Sequence, residues 1–222
     1  MTADEAEEVL GIVQRIGPVV LSAAVNPAGT IGTALRRAVG MMIADYNMIN
    51  MPTFAFAFGV CTDLARLSQA TLATMDRVRK AALEETPVSL PAVQTVLAIV
   101  RITLTMEARI IAYMQFKSRD EFEAVATAIG DAFNQTEEIA ADDLDSGTYM
   151  ALIRLHGNVV KHLSDRARRL PRVISYDYSM VMPALRMAQR AYGNPARYQE
   201  LINEKGVVHP AFMPRTGKML AV

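Results

Sequence analysis

Hydrophobic positions recur every three or four residues through most of the chain, a spacing typical of helices that bury one face. The longest series consists of Phe54, Phe58, Cys61, Ala65, Ser68, Leu72, Met75, Val78 and Ala82. A seam of about eight turns predicts one long helix that packs along a partner helix. Thr53, directly before the seam, is the predicted N-cap.

Proline and loop-forming residues divide the sequence before this seam. A first helix is predicted to begin at Asp4, and we expect Pro18 to kink or end it, because proline lacks the N–H that a helix interior needs. The loop-forming residues 26–30 follow. A second helix then runs to about Asn50.

The sequence after the seam predicts three more helices. Residues 93–114 are apolar over an unusually wide face, which is typical of a helix buried between others. Ser118 and Glu121 form a capping-box pattern that opens the next helix, and residues 148–169 form the last. Short links favour antiparallel neighbours, so we expect residues 1–170 to form an elongated α-helical bundle.

Beyond residue 170 the pattern changes to strand, helix, helix, strand. Residues 172–178 are rich in β-branched and aromatic side chains and predict a strand. A helix over 183–192 is followed by a second that opens at Asn194–Pro195, a cap followed by proline. Residues 218–222 predict a closing strand. The predicted fold is therefore mainly α, with a small α+β domain at 171–222.

The charges of the chain are unevenly distributed. The 222 residues carry 23 basic and 23 acidic side chains. Residues 1–153 hold 11 Lys/Arg against 19 Asp/Glu, and residues 154–222 hold 12 against 4, so net charges of −8 and +8 cancel. This split predicts an acidic body and a basic end, a distribution suited to charged partners.

Composition narrows the class of protein. A single cysteine excludes an intrachain disulfide framework. The acidic N-terminus does not resemble a secretory signal, and no stretch is apolar enough for a bilayer span. We expect a soluble globular protein that is made inside the cell.

Candidate catalytic and metal-binding residues are few. The sequence holds no G-x-S-x-G, P-loop, G-x-G-x-x-G or H-E-x-x-H motif. Cys61 lies on the apolar seam and is expected to be a buried, inert thiol. His156 and His162 are six residues apart, which favours surface or interhelical roles over a shared metal. The acidic residues 142–145 favour a solvated loop over a cation site. We therefore expect no enzyme activity, no cofactor and no metal.

One basic cluster stands out beside the predicted domain boundary. Its members are Arg166, Arg168, Arg169 and Arg172. They could contact phosphates or an acidic protein surface, and they could equally be solvated charges favoured by the helix dipole. No aromatic platform accompanies them in the sequence.

The C-terminal motifs resemble a known family. The segments concerned are Leu170–Arg172, Met182–Leu185, Ala191–Arg197, Glu200–Asn203 and His209–Pro214. Their order and spacing over about 50 residues are similar to the C-terminal part of the DNA circularisation proteins of Mu-like phages. Asn194 stands where that family has an acidic residue, and Ala211 where it has glycine. The β-rich domain with which that family usually begins has no counterpart in this chain.

The resemblance implies a non-enzymatic component of a contractile phage tail, present in several copies near the junction of tube, baseplate and hub. Its end also looks like a LysM module, a small strand-helix-helix-strand fold. The implied partners are other tail proteins (hub, tube or wedge) and further copies in a homo-oligomeric ring, with no membrane. The implied location is the virion, after assembly in the host cytoplasm.

Residue roles follow from this interpretation. The four arginines of the basic cluster are expected to steer docking on an acidic partner. The expected module core consists of Tyr192, Leu201, Phe212 and Leu220. Two alternatives remain open at this point: a protein that binds DNA ends after injection, and a module that binds peptidoglycan.

Overall fold

The computed structural model describes residues 1–142, 145–168, 170–205, 207 and 209–220. These residues are mainly helical, which confirms the predicted fold class at this level. They divide into two compact units, the first of residues 1–114 with 129–159 and the second of residues 115–128 with 160–222. The two domains inferred from the sequence, an α-helical bundle of residues 1–170 and an α+β module of residues 171–222, stay a prediction.

The first unit is built mainly from five helices. They are α1 (Ala3–Ala23), α2 (Gly29–Ala44), α3 (Thr53–Leu67), α4 (Leu72–Leu83) and α5 (Leu90–Tyr113). Two further helices, α6 (Arg119–Asp142) and α7 (Ser146–Ala167), contribute residues to both units. Hydroxyl groups cap several N-termini: Thr2 caps α1, and Ser118 accepts from the Glu121 N–H of α6 at 3.2 Å, as its capping pattern predicts.

Helix α1 continues through Pro18, so it does not end there as one of the two sequence expectations proposed. Proline removes one backbone hydrogen bond from the helix interior. The buried face continues on both sides of it, with Ile16 and Val20 exposed by no more than 2 %. Burial of this apolar face favours the helix on both sides of the missing bond.

The predicted long helix is two helices, α3 and α4, separated by residues 68–71. Gln69 adopts a left-handed φ of 66°, which ends α3, and the Thr71 hydroxyl accepts from Thr74 N–H to cap α4. The seam residues of both helices nevertheless enter one core, where Phe54 and Phe58 stack at 5.7 Å. The hydrophobic period therefore identified the buried face but missed the break.

Two other helix ends differ from the sequence expectations. Helix α2 ends at Ala44 rather than near residue 50, and residues 46–49 form a 3-10 turn. The Asp45 carboxylate accepts from Asn47 N–H and begins this turn. Thr53 is the first residue of α3, whose N-cap is Pro52.

The C-terminal module, residues 171–220, has the predicted strand-helix-helix-strand order. Strand β1 (Val173–Asp177) pairs antiparallel with β2 (Thr216–Leu220), in the register that places Val173 opposite Leu220. Between them lie α8 (Ala184–Tyr192), a 3-10 turn at Pro195–Arg197 and α9 (Tyr198–Lys205). Residues 206, 221 and 222, at the predicted end of the second helix and of the closing strand, lie outside the described residues.

The core of the C-terminal module differs in part from the expected one. It consists of Tyr176, Met182, Ala184, Met187, Ala188, Leu201, Met213 and Met219. Leu201 is buried, Tyr192 packs against the edge of this core, and Leu220 is half-buried. Phe212 is 70 % exposed, so its assignment to the core is wrong. Met213 faces inward instead, because neighbouring side chains of extended backbone point to opposite sides.

Candidate interaction surface

Arg166, in the last turn of α7, lies over an aromatic ring. Its guanidinium carbon is 5.8 Å from the centre of the Phe116 ring, within the range of a cation–π contact. Its Nη1 lies 3.4 Å from Nε2 of His162, one turn earlier on the same helix. Phe116 packs edge-on against Phe122, with the ring centres 5.6 Å apart. The ring beneath Arg166 is thus held in place by a second aromatic side chain.

A shallow groove of about 410 Å³ adjoins this contact. Its lining residues are Gln115, Phe116, His162, Asp165, Arg166 and Leu170. Close by in the chain, the backbone N–H of Arg119 donates to the Pro171 carbonyl at 2.9 Å, which joins the start of α6 to the start of the C-terminal module. The groove offers a cation, an aromatic face and one carboxylate to a ligand.

Three of the four arginines of the basic cluster are described, and they differ in exposure. Arg166 is half-buried beside the groove, whereas Arg168 and Arg172 are exposed, and Arg169 lies outside the described residues. Arg166 lies in the last turn of α7, and Arg168 follows the end of this helix. Arg168 and Arg172 remain available for long-range attraction of an acidic partner.

The aromatic partner of Arg166 was missed by sequence reasoning. Phe116 precedes α6 and Arg166 lies in the last turn of α7, 50 residues later, so no local pattern joins them. The spacing of His162 and Arg166, four residues apart, was the one available signal, because such pairs meet on a helix surface. The sequence therefore indicated the arginine as a candidate but not the aromatic ring that it contacts.

His156 takes the interhelical role expected of it. Its Nδ1 lies 3.0 Å from Oε1 of Glu137, which joins α7 to α6. The imidazole also stacks on Phe133, with ring centres 4.8 Å apart and planes 7° apart. The pair fills space between two helices, and its geometry is accounted for by packing.

The other candidate chemical groups have structural surroundings. Cys61 is 1 % exposed, and burial raises the pKa of its thiol to about 11, as expected of an inert core cysteine. Asp145 accepts from the Thr148 N–H at 3.1 Å and lies 3.4 Å from Arg101, and its hydrogen bonds to Thr148 lower the pKa of its carboxyl. Residues 143 and 144 of the acidic loop lie outside the described residues.

Two further observations concern the described residues only. None of their His, Cys, Asp and Glu side chains form a group of three or more suited to a metal ion. None of their helices combines the length and hydropathy that crossing a membrane requires.

The two units carry opposite charges. By sequence, the first holds 10 Lys/Arg and 16 Asp/Glu, a net charge of −6, and the second holds 13 and 7, a net charge of +6. Fold and surface thus define a mainly helical protein with a small, basic α+β module. No protein-family model matches the chain, and no curated protein matches it significantly.

Proposed function

We propose that this protein is a non-enzymatic structural component of a contractile phage tail, at the junction of baseplate, hub and tail tube. The observation that carries the proposal is the place of the C-terminal motifs in the fold. Gly193, with a left-handed φ of 66°, ends α8, and Asn194 then caps the next turn by accepting from Ala196 N–H at 2.9 Å. Residues that resemble the phage family thus occupy the positions that shape the C-terminal module.

The pairing inside the C-terminal module gives further support. The motif residues Met182 and Met213 form a backbone bridge, and Ala184 N–H donates to the Pro210 carbonyl at 2.7 Å. These contacts join the second motif segment to the last. A LysM-like module is proposed on this strand-helix-helix-strand order, with its two strands adjacent and antiparallel.

The proposed mode of action is assembly through protein–protein contacts. The basic unit, with Arg168 and Arg172 exposed, suits an acidic neighbour such as a hub, tube or wedge protein. Complementary charge speeds encounter and selects orientation more than it adds affinity. Copies placed around a tail axis would form a closed homo-oligomeric ring, the usual result of repeated head-to-tail contacts whose rotation closes.

The decisive experiment is quantitative mass spectrometry of purified virions and isolated tails. The expected result is this chain at a fixed ratio to the major tail proteins in both preparations, together with tail-defective particles when the reading frame is deleted. Detection only in the cytosol of infected cells, with normal tails in the deletion strain, would overturn the proposal.

A second candidate, binding of DNA ends after injection, is favoured by one observation. The Phe116 ring beneath Arg166, with His162 beside it, could accept a base as single-strand binding proteins do. Anisotropy titrations with labelled single-stranded and duplex ends would test it at several salt concentrations. Affinity that falls steeply with salt and drops about tenfold in Phe116→Ala would support this candidate. No binding at low salt would exclude it.

A further inference from the structure

Five large apolar side chains among the described residues of the C-terminal module are exposed. One of them, Ile174 (42 %), lies on β1, and the other four lie outside the strands. These four are Met180 (55 % exposed), Val181 (51 %), Leu185 (55 %) and Phe212 (70 %), and together they are called the apolar patch. Single exposed apolar residues are normal, whereas a contiguous group marks an interaction site. None of the four belongs to the module core.

Backbone pairing brings Val181, Leu185 and Phe212 to one region, and Met180 directly precedes Val181 in the chain. The bridge between Met182 and Met213 sets two extended segments side by side, and both methionines face inward. Their neighbours Val181 and Phe212 therefore point outward, since side chains alternate along extended backbone. The hydrogen bond from Ala184 to Pro210 brings the first turn of α8, with Leu185, to the same place.

The surroundings of the apolar patch are basic. Arg186 follows Leu185 directly, Arg215 follows the second extended segment, and both side chains are exposed. Within the described residues neither arginine belongs to an ion pair. The patch therefore combines apolar area with available positive charge, inside a unit whose net charge is +6.

A complementary surface exists on the first unit of the same sequence. A shallow groove of about 700 Å³ on α1 is lined by Asp4, Glu7, Glu8, Leu10, Gly11, Gln14 and Arg15. Asp4 and Glu7 are exposed, and Gly11, which has no side chain, leaves a depression in the surface of α1. These residues define the acidic groove. Its negative charge is opposite to that of the arginines beside the apolar patch.

We propose that the apolar patch of one copy docks on the acidic groove of a second copy. The inference rests on the proposed assembly function, since it names one partner of the same module. Contact of the patch with Leu10 and over Gly11 buries apolar area, and the pairing of Arg186 with Asp4 and Glu7 of the neighbour selects the orientation. Because two different surfaces meet, the contact is head-to-tail and leaves a free surface at each end of a pair.

Sedimentation equilibrium of the full chain over a wide concentration range tests this contact. The first variant, Phe212→Ser with Arg186→Glu, alters only the apolar patch, and the second, Asp4→Asn with Glu7→Lys, alters only the acidic groove. The control is Phe56→Ser, which removes a phenylalanine that is 76 % exposed on α3. Circular dichroism checks that each variant is folded.

The expected result is reversible self-association of the unaltered chain and of the control, weakened at least about tenfold in each variant. An equimolar mixture of the two variants should form one-to-one pairs, because each keeps the surface that the other has lost. Such recovery also shows that both variants are folded.

Three results would overturn the inference. A monomeric unaltered chain at high concentration would do so, as would normal self-association in the groove variant, which would indicate contact between two patches. Sedimentation of the unaltered chain, but not Phe212→Ser, with purified sacculi would assign the patch to peptidoglycan. A monomeric chain that is nevertheless present in virions would reject this contact and leave the proposed function standing.

Discussion

Nε of Arg79 lies 3.2 Å from Oε1 of Glu107, and both side chains are almost fully buried in the first unit. Asp76 also contacts the Arg79 guanidinium, and Gln135 Oε1 lies 3.5 Å from its Nη1. Burial raises the pKa of Glu107 to about 7, with the neighbouring Arg79 opposing the shift. The pair therefore joins α4 to α5 through a carboxylate that titrates near neutral pH.

This pKa predicts how stability changes with pH. Between about 4.5, the ordinary pKa of glutamic acid, and about 7, the folded state keeps a proton that the unfolded state has lost. The contribution of Glu107 to the free energy of unfolding therefore falls as pH rises through this window, by up to about 3 kcal/mol. Urea unfolding between pH 4.5 and 8 should show the free energy of unfolding of the unaltered chain falling by about that amount relative to that of Glu107→Gln as the pH rises.

Glu107→Gln removes one titrating carboxyl, and both proteins carry the same other carboxylates, so the comparison isolates the contribution of Glu107. The glutamine of this variant cannot ionise, so the change with pH in the difference between the two curves reports the titration of Glu107, including its interaction with Arg79. Parallel curves over the whole window would show that Glu107 keeps an ordinary pKa in the folded state.

The helical content and the buried faces could be predicted because they depend on local periodicity. Phe54, Met75 and Ala82 lie in one core, as their spacing predicts, although Gln69 interrupts the helix between them. The break was not predictable from the seam, because Ser68 keeps the three-and-four spacing and is itself buried. Thr71 and Thr74, which form the cap of α4, were the sequence signal for it.

The contacts between residues far apart in the chain were less predictable than the helices. Arg79 and Glu107 are 28 residues apart, and no sequence pattern pairs them. Phe212 and Met213 differ by one position along extended backbone, so a shift of one residue exchanges core and surface. Phe212 was predicted in the core because phenylalanine is a large apolar residue. The backbone pairing of Met213 with Met182 places Met213 in the core instead.

Two glycines of α2 should respond in opposite ways to alanine. A Cβ at Gly32 would lie 1.9 Å from the Pro27 carbonyl oxygen, so the loop before α2 must move. That carbonyl also accepts from the Arg36 guanidinium at 2.8 Å, a contact the movement would disturb. We expect Gly32→Ala to lower the free energy of unfolding by about 1–3 kcal/mol.

Gly40→Ala is the matched control for this prediction. Among the described residues, no atom outside its own helix turn lies within 4 Å of a Cβ at Gly40, and alanine favours a helix interior by about 1 kcal/mol over glycine. Denaturant unfolding should therefore show Gly40→Ala as stable as the unaltered chain or more so. A similar loss in both variants would indicate that helix α2 tolerates no side chain at either position.

The Cys61 thiol should react slowly in the folded protein. It is 1 % exposed, and a pKa of about 11 leaves roughly a thousandth of it as thiolate at pH 8. The rate of reaction with a disulfide reagent should be low in buffer and should rise by several orders of magnitude in concentrated urea. Rapid modification of the folded chain would show that α3 opens readily, since the reagent must reach the seam between Phe58 and Ala65.

The adjacent pair Phe212 and Met213 tests which residue supports the C-terminal module. Met213 is fully buried, so Met213→Ala leaves a cavity and should lower the free energy of unfolding by about 2–5 kcal/mol. Phe212→Ala removes a side chain that is 70 % exposed and should change it by less than about 0.5 kcal/mol. Hydrogen exchange of the amides in β1 and β2, followed by mass spectrometry, reports on the module itself. Faster exchange is expected in Met213→Ala alone. Equal acceleration in both variants would show that Phe212 also packs in the core of the module.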